Sequence, residues 1–154
     1  MDAYATLRFT SLHGPGRIVG LVEFTDSAEG LMVETFLHGL KPGLHGIHVH
    51  SGRSCGPGKV NGKVVPGGAA KGHLDPHRTQ KHLGPYRDGH LGDLPRVTVY
   101  SDGTSEELLL APRVRVADII GRALILHAGG DTYADHPKLG GGGARLACGI
   151  IQTG

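Results

Sequence analysis

Glycine and proline interrupt the whole chain, and this limits the possible folds more than any other feature of the sequence. The 154 residues include 27 glycines and 9 prolines, which are spread along the chain without a period of three. This spacing argues against long helices and collagen-like structure, and it favours many turns between short strands. The length suits one compact domain, which we expect to span residues 1–154.

Short apolar runs between these interruptions predict the strands, with one helical turn near 116–120. The expected strands are 3–9, 17–24, 31–37, 44–50, 96–100, 107–110, 121–127 and 145–152. We expect Ala3, Ala5, Leu7 and Phe9 to share one face of the first strand, and Ile18 and Val22 to point inward from the second. This pattern predicts an all-β fold, an antiparallel barrel or sandwich of about eight strands.

Two segments lack any hydrophobic periodicity. One covers about 51–94 and is rich in Gly, Pro, His, Asp and Lys, and the other covers about 128–144. Long irregular loops are uncommon in compact domains and are usually functional. Because the first has no apolar core of its own, a metal ion or a disulfide is expected to order it.

Charge and hydropathy exclude several classes of partner. The formal net charge is +2, without the dense basic footprint of a nucleic-acid binder, and no apolar run approaches the length of a membrane span. The first twenty residues contain no signal-peptide core, which fits either a cytosolic chain or a mature chain whose signal was removed.

Histidine is the unusual residue type, with 11 in the chain. His48 and His50 alternate around Val49 on a predicted strand, so their rings share a face and could bind one metal ion. The alternative is a pair of exposed polar positions. His127 ends an apolar run and is an ordinary polar end residue unless it joins this pair.

The first loop holds a complete set of zinc ligands by residue type. His73, His82, His90 and Asp93 lie within about twenty residues, and three imidazoles with one carboxylate suit tetrahedral zinc. The alternative is a polar loop with incidental histidines, of which His77 is an example.

Cys55 and Cys148 lie far apart, so three states stay open: one disulfide, two free thiols, or two unrelated buried residues. Free thiols are the ordinary expectation in a cytosolic protein.

Six motifs follow one another along the chain: HGIHVH at 45–50, GHLDP at 72–76, KHLGP at 81–85, GHLGDL at 89–94, GRALILH at 121–127 and GGGGARLACGII at 140–151. Taken together, these motifs resemble the copper/zinc superoxide dismutase family, in the family's order and over essentially the whole chain. Residues 51–55 (SGRSC) and 129–131 (GGD), with the four-glycine run, resemble its bacterial branch.

The resemblance implies a Greek-key barrel, one copper and one zinc ion, and dismutation of superoxide to O₂ and H₂O₂ as copper cycles between Cu(II) and Cu(I). Zinc would be structural, and His73 would bridge the metals and carry a proton. The implied copper ligands are His48, His50, His73 and His127, and the implied zinc ligands are His73, His82, His90 and Asp93.

The resemblance also assigns residues around the metals. Arg145 would attract and orient the anion, and Lys81 and Lys138 are weaker candidates for the same field. Cys55 and Cys148 would form a disulfide.

Other assignments concern histidine partners and backbone packing. Asp131, in preference to Asp135, would hydrogen-bond the outer nitrogens of one copper and one zinc histidine. His45 would be structural. Residues 140–143 lack the ending of a phosphate-binding loop, so we expect close backbone packing beside the active channel. His13, His38, His77 and His136 receive no role.

The main alternative is a non-catalytic copper/zinc storage or delivery protein on the same fold. It is disfavoured because no ligand position or arginine is missing and because only two cysteines are present for metal transfer. The bacterial resemblance and the implied disulfide suggest an extracytoplasmic chain whose signal has been removed, although a cytoplasmic one stays open. For the oligomeric state, we expect a homodimer.

Overall fold

The computed structural model describes residues 1–154 and consists almost entirely of short antiparallel strands joined by turns and loops. None of its helices has the length and hydrophobicity that a membrane-spanning helix needs. The elements are β1 (Ala3–Phe9), β2 (Ile18–Ser27), β3 (Gly30–Leu37), β4 (Gly43–His45), β5 (Ile47–His50), β6 (Gly58–Val60), β7 (Lys63–Val65), β8 (Val97–Val99), β9 (Leu108–Ala111), α1 (Val116–Ile119), β10 (Ala123–His127), β11 (Arg145–Ile150) and β12 (Gln152–Thr153).

One large sheet forms most of the molecule. Its strands follow the order β5-β10-β11-β1-β2-β3-β9, and β12 pairs with β1 beside this path. Two further pairs, β4–β8 and β6–β7, lie outside this sheet. All of these pairings are antiparallel, so the predicted all-β class is confirmed.

A core of 23 buried residues fills the inside of the curled sheet. Ala3, Ala5 and Leu7 alternate into it as expected, whereas Phe9 is only partly buried. Val22 also points inward, but the inward orientation predicted for Ile18 is wrong. A register shift between β1 and β2 leaves Val19 without a partner, so Val19 enters the core and Ile18 is 42% exposed.

The predicted strand 44–50 is two strands because Gly46 breaks it. The Gly46 N–H donates to the Gly129 carbonyl (2.9 Å), and a Cβ on Gly46 would lie 3.0 Å from the Gly130 carbonyl oxygen. This contact turns the chain toward the second loop immediately before His48.

The first loop contains a hairpin, β6–β7, that the expectation of an irregular segment missed. Its turn is Asn61-Gly62, and both residues have positive φ (52° and 81°), as a type I′ turn requires. The available signal was an Asn-Gly pair between two short runs that contain valine, residues 59–60 (KV) and 63–65 (KVV).

The predicted disulfide between Cys55 and Cys148 is confirmed, and it closes a separation of 93 residues. It joins the first loop to β11 within a second, smaller core that also contains Ala70, Ala123 and Ile125. Both cysteines are used in it, so no thiol is free for metal transfer.

Candidate metal centre

The site is built on β5, which lies at one end of the main sheet. All four residues of β5 are buried: Ile47 and Val49 face the core, and His48 and His50 lie on the opposite face. The neighbouring strand β10 ends at His127, which places a third imidazole beside the first two.

Two segments of the first loop return to the free edge of β5. The Leu74 N–H donates to the Val49 carbonyl, and the Val49 N–H donates to the Gly92 carbonyl, each at 2.8 Å. His73 then lies opposite His50, and Asp93 lies opposite His48. Backbone pairing therefore brings residues twenty positions apart in the loop to the same two histidines.

These side chains form two groups whose candidate ligand atoms lie within 4.8 Å of one another. The first group is His48, His50, His73 and His127, and the second is His48, His73, His82 and Asp93. His90 does not meet this distance limit for either group, but its Nδ1 lies 3.2 Å from Asp93 Oδ2.

Most of these side chains present an unpartnered buried atom. Of the seven buried side-chain nitrogen and oxygen atoms without a hydrogen bond, six belong to the predicted ligands. Such atoms are costly unless something else binds them. The six are His48 Nδ1, His50 Nε2, His82 Nδ1, His90 Nδ1, Asp93 Oδ2 and His127 Nε2.

Close approach alone does not satisfy the atoms near Asp93. His82 Nδ1 lies only 2.8 Å from Asp93 Oδ2, yet this contact lacks the directionality of a hydrogen bond. The same holds for His90 Nδ1. The ligand atoms therefore surround a common point, as they would around a cation.

The second nitrogen of most of these rings is already bonded. His50 Nδ1 lies 2.8 Å from the Lys71 carbonyl, and His127 Nδ1 lies 3.3 Å from the Gly143 carbonyl. Each carbonyl is an acceptor, so each Nδ1 carries the proton and leaves Nε2 free as a ligand atom.

Asp131 lies between the two groups. Its Oδ2 is 2.7 Å from His48 Nε2, and its Oδ1 is 2.7 Å from His82 Nε2. Asp135 instead accepts the backbone N–H of His82 (3.1 Å) and contacts neither ring. The chain crosses this bridge at Gly140, where a Cβ would lie 2.2 Å from Asp131 Oδ1.

Burial and neighbouring charges give the two groups different protonation. Burial, together with nearby imidazoles, lowers the pKa of His50 and His127 well below the ordinary value. Burial also lowers the pKa of His73, to about 4, although its bond to Asp93 opposes the shift. Neutral imidazole is the form that binds a metal ion.

The carboxylates of the site are held ionised. Burial would raise the pKa of Asp93 and Asp131, but hydrogen bonds and close contacts with the surrounding histidines outweigh it and hold both pKa values below the usual range. For His82, burial lowers the pKa, but its hydrogen bond to Asp131 and its close contact with the Asp93 carboxylate reverse this and raise the pKa to about 9. Without a bound metal ion, the positive charge of protonated His82 would therefore balance part of the negative charge of the two aspartates.

Arg145 begins β11 beside the first group. It is half-buried, its Nη1 donates to the Gly67 carbonyl (3.0 Å), and burial lowers its pKa. Arg145 lines one opening together with Thr10 and Lys63. A second opening, which reaches the first group, is lined by Asn61, His127 and Lys138. Lys81 is exposed and does not line this opening.

The remaining histidines lie apart from the two groups. His45 is buried, and its two ring nitrogens face the carbonyls of His127 (2.8 Å) and Lys41 (2.7 Å). It therefore connects the end of β10 to the turn before β4. His13, His38, His77 and His136 are all exposed.

Comparison with known proteins identifies this arrangement. The profile of the family described as copper/zinc superoxide dismutase matches residues 18–151. The chain belongs to the copper/zinc superoxide dismutase family. The family expected from the sequence is thereby confirmed, and with it the enzyme class and the pair of metals.

Relatives of this family resemble the chain along nearly its whole length. A Cu-Zn superoxide dismutase of Brucella abortus is 50% identical over 141 residues, which cover 90% of this chain and 82% of that protein. The solved structure of the Brucella abortus enzyme has a TM-score of 0.94 and 45% identity, over 98% of this chain and all of that one. A solution structure of a monomeric enzyme from Salmonella enterica has a TM-score of 0.84 and 42% identity, over 97% and 99% of the two chains.

The residues present fit both metals by donor chemistry. Four imidazoles suit copper, and three imidazoles with a carboxylate suit zinc. The sequence did not predict the carbonyls of Lys71 and Gly143, which orient two of the rings, or the contacts of Arg96 and Tyr133 with Asp131. Backbone acceptors carry no residue signature, so only the folded structure could identify them.

Proposed function

We propose that this site dismutates superoxide to O₂ and H₂O₂ with one copper and one zinc ion per chain. The observation that carries the proposal is the set of six buried, unpartnered ligand atoms that surround two adjacent points. When bound, copper supplies one-electron redox chemistry between Cu(II) and Cu(I), and zinc supplies a fixed charge.

Each predicted ligand has an assignment in this proposal. Distance alone places His48 in both groups, but Asp131 occupies its Nε2, so only Nδ1 is available for the copper. His90 completes the zinc set because its Nδ1 lies beside Asp93. Copper is bound by His48, His50, His73 and His127, and zinc by His73, His82, His90 and Asp93.

His73 has the position of a shared ligand and proton carrier. Its Nδ1 lies 2.8 Å from Asp93 on the side of the zinc group, and its ring stacks on His48 with centroids 4.1 Å apart. Nε2 is then the atom that faces the copper group. When protonated, this Nε2 would be the group of the chain that donates a proton to the substrate.

Arg145 orients the substrate anion. Its guanidinium is fixed by the Gly67 carbonyl and lies close enough to His50 and His127 to lower their pKa. A fixed cation beside the copper ligands attracts a small anion toward them. Lys138 adds to this field from the rim of the second opening.

Two further proposals concern the setting of the enzyme. We propose that it works outside the cytoplasm, where a disulfide such as Cys55–Cys148 persists. The homodimer stays a prediction, since the Salmonella enterica relative is described as monomeric. Sedimentation of the metal-loaded chain distinguishes the two states.

The direct test combines activity with metal analysis on one sample. Protein loaded with copper and zinc is expected to dismutate superoxide and to contain about one of each ion per chain. His127→Ala should lose copper and activity but keep zinc, whereas His90→Ala should lose zinc first. His77→Ala removes an exposed histidine of the same loop and should change neither metal. Full loading without activity would contradict the proposal and indicate a binding protein.

A further inference from the structure

Two side chains outside the ligand set contact the segment that carries Asp131. Arg96 lies immediately before β8, and Tyr133 lies two residues after Asp131. The Arg96 guanidinium is 4.9 Å from the centroid of the Tyr133 ring, and its Nη1 donates to the Asp131 carbonyl at 2.8 Å. We call Arg96 and Tyr133 the clasp.

Backbone groups extend the clasp to the metal site. The Arg96 N–H donates to Tyr133 Oη, and the Tyr133 N–H donates to Asp131 Oδ1, both at 2.9 Å. The same Oδ1 bonds to His82 Nε2. A continuous series of contacts therefore runs from the start of β8, through the clasp, to a zinc ligand.

The Tyr133 ring is also held from the side of the first loop. It packs on Gly84, where a Cβ would lie 2.6 Å from Tyr133 Cβ, and it makes an edge contact with the Tyr86 ring. Tyr133 itself has φ of 59°, which a bulky residue seldom adopts unless its surroundings hold it there. The ring position is therefore set by both loops together.

We propose that Arg96 and Tyr133 are positioning residues that keep the Asp131 carboxylate aligned with His82 and His48 and so slow the release of zinc. This rests on the zinc assignment proposed above. Loss of a direct hydrogen-bond partner of a ligand weakens metal binding by 10–100-fold. Because the clasp acts one residue further out, we expect zinc release to accelerate by about tenfold, the lower end of that range.

The test measures transfer of zinc from the copper- and zinc-loaded protein to a chromogenic chelator under native conditions. Arg96→Ala and Tyr133→Ala should each release zinc about tenfold faster than the original chain. Arg96→Lys should be intermediate, because an ammonium can still donate one hydrogen bond and lie over the ring. The matched control is Arg115→Ala, since Arg115 also donates to a backbone carbonyl, that of Ser27, far along the chain from the site.

Two further readouts separate positioning from general stability. Cobalt(II) bound in place of zinc should have a shifted absorption band in Arg96→Ala, while the melting temperature of the metal-free variant should match that of Arg115→Ala. Zinc release at the original rate, or release that only follows a lowered melting temperature, would overturn the proposal. His82→Ala is the reference: if it retains zinc, the zinc assignment fails as well.

Discussion

Asp131 is a single residue shared by both halves of the site, and its two oxygens serve different rings. Asp131→Asn keeps the size of the side chain but replaces one acceptor with a donor, so one ring loses its partner. We expect zinc affinity to fall by about 10–100-fold. Competitive titration with a chelator measures it. Asp135→Asn, which alters only a bond to the His82 backbone, should have a clearly smaller effect, and equal effects would argue against a bridging role.

Arg145 contributes charge without being a predicted ligand, so its effects should separate from metal binding. For Arg145→Ala we expect unchanged copper and zinc content and a dismutation rate constant lower by about tenfold or more at low ionic strength. Added salt should narrow the difference, and Arg145→Lys should recover part of the rate. Arg122→Ala is the control, because it removes an equal charge from a side chain whose Nη1 also donates to a loop carbonyl, that of Ser51. A loss of copper in Arg145→Ala would reveal a structural role instead.

The glycine run before β11 shows how an irregular element is shaped by the site it covers. Gly140 passes over the Asp131–His82 hydrogen bond, and Gly140→Ala would place a Cβ 2.2 Å from Asp131 Oδ1. Gly143 also has positive φ, but it has nothing within 4 Å of the equivalent position. Gly140→Ala should therefore weaken zinc binding and lower the melting temperature, whereas Gly143→Ala should cost only the backbone strain, about 1–2 kcal/mol. Chelator titration and thermal unfolding distinguish the two.

Among the secondary-structure elements, a strand could be predicted from the sequence where one of its faces is buried and the other is not. β1 follows this rule through Ala3, Ala5 and Leu7, whereas β2 departs from it at Ile18 because a bulge shifts the register. Alternation carries no information about a bulge, which depends on the partner strand. The hairpin around Asn61 was detectable, since its turn residues have a well-defined conformational preference.

At the scale of the whole molecule, the ligands could be named from the sequence because their residue types and spacing are specific. Their proximity could not be derived from spacing alone: His73 and Asp93 reach His50 and His48 through backbone pairing of the loop with β5. The partners of the outer ring nitrogens were even less accessible. Any residue can supply the carbonyl that Lys71 supplies to His50, so only the folded chain distinguishes it.

The disulfide links the metal-binding loop covalently to the main sheet. Cys148 lies on β11 between Arg8 of β1 and Ile125 of β10, and Cys55 lies in the loop, 93 residues earlier. Closing a loop of that length restricts the unfolded chain, and this stabilises the fold by about 4–5 kcal/mol. The metal-free double variant Cys55→Ser/Cys148→Ser should lose that much free energy of unfolding in urea.

The reduced original chain provides the control for this variant. Under reducing conditions it should unfold at the urea concentration of the double variant, whereas reductant should leave the variant itself unchanged. Because Cys55 and Cys148 are only 9% and 2% exposed and pack against the small core, reduction of the disulfide should be slow until the loop opens. Added copper and zinc bind only the folded loop and should therefore slow reduction further. If the oxidised and reduced metal-free chains unfolded together, the loop would have to be fastened by its pairing with β5 alone.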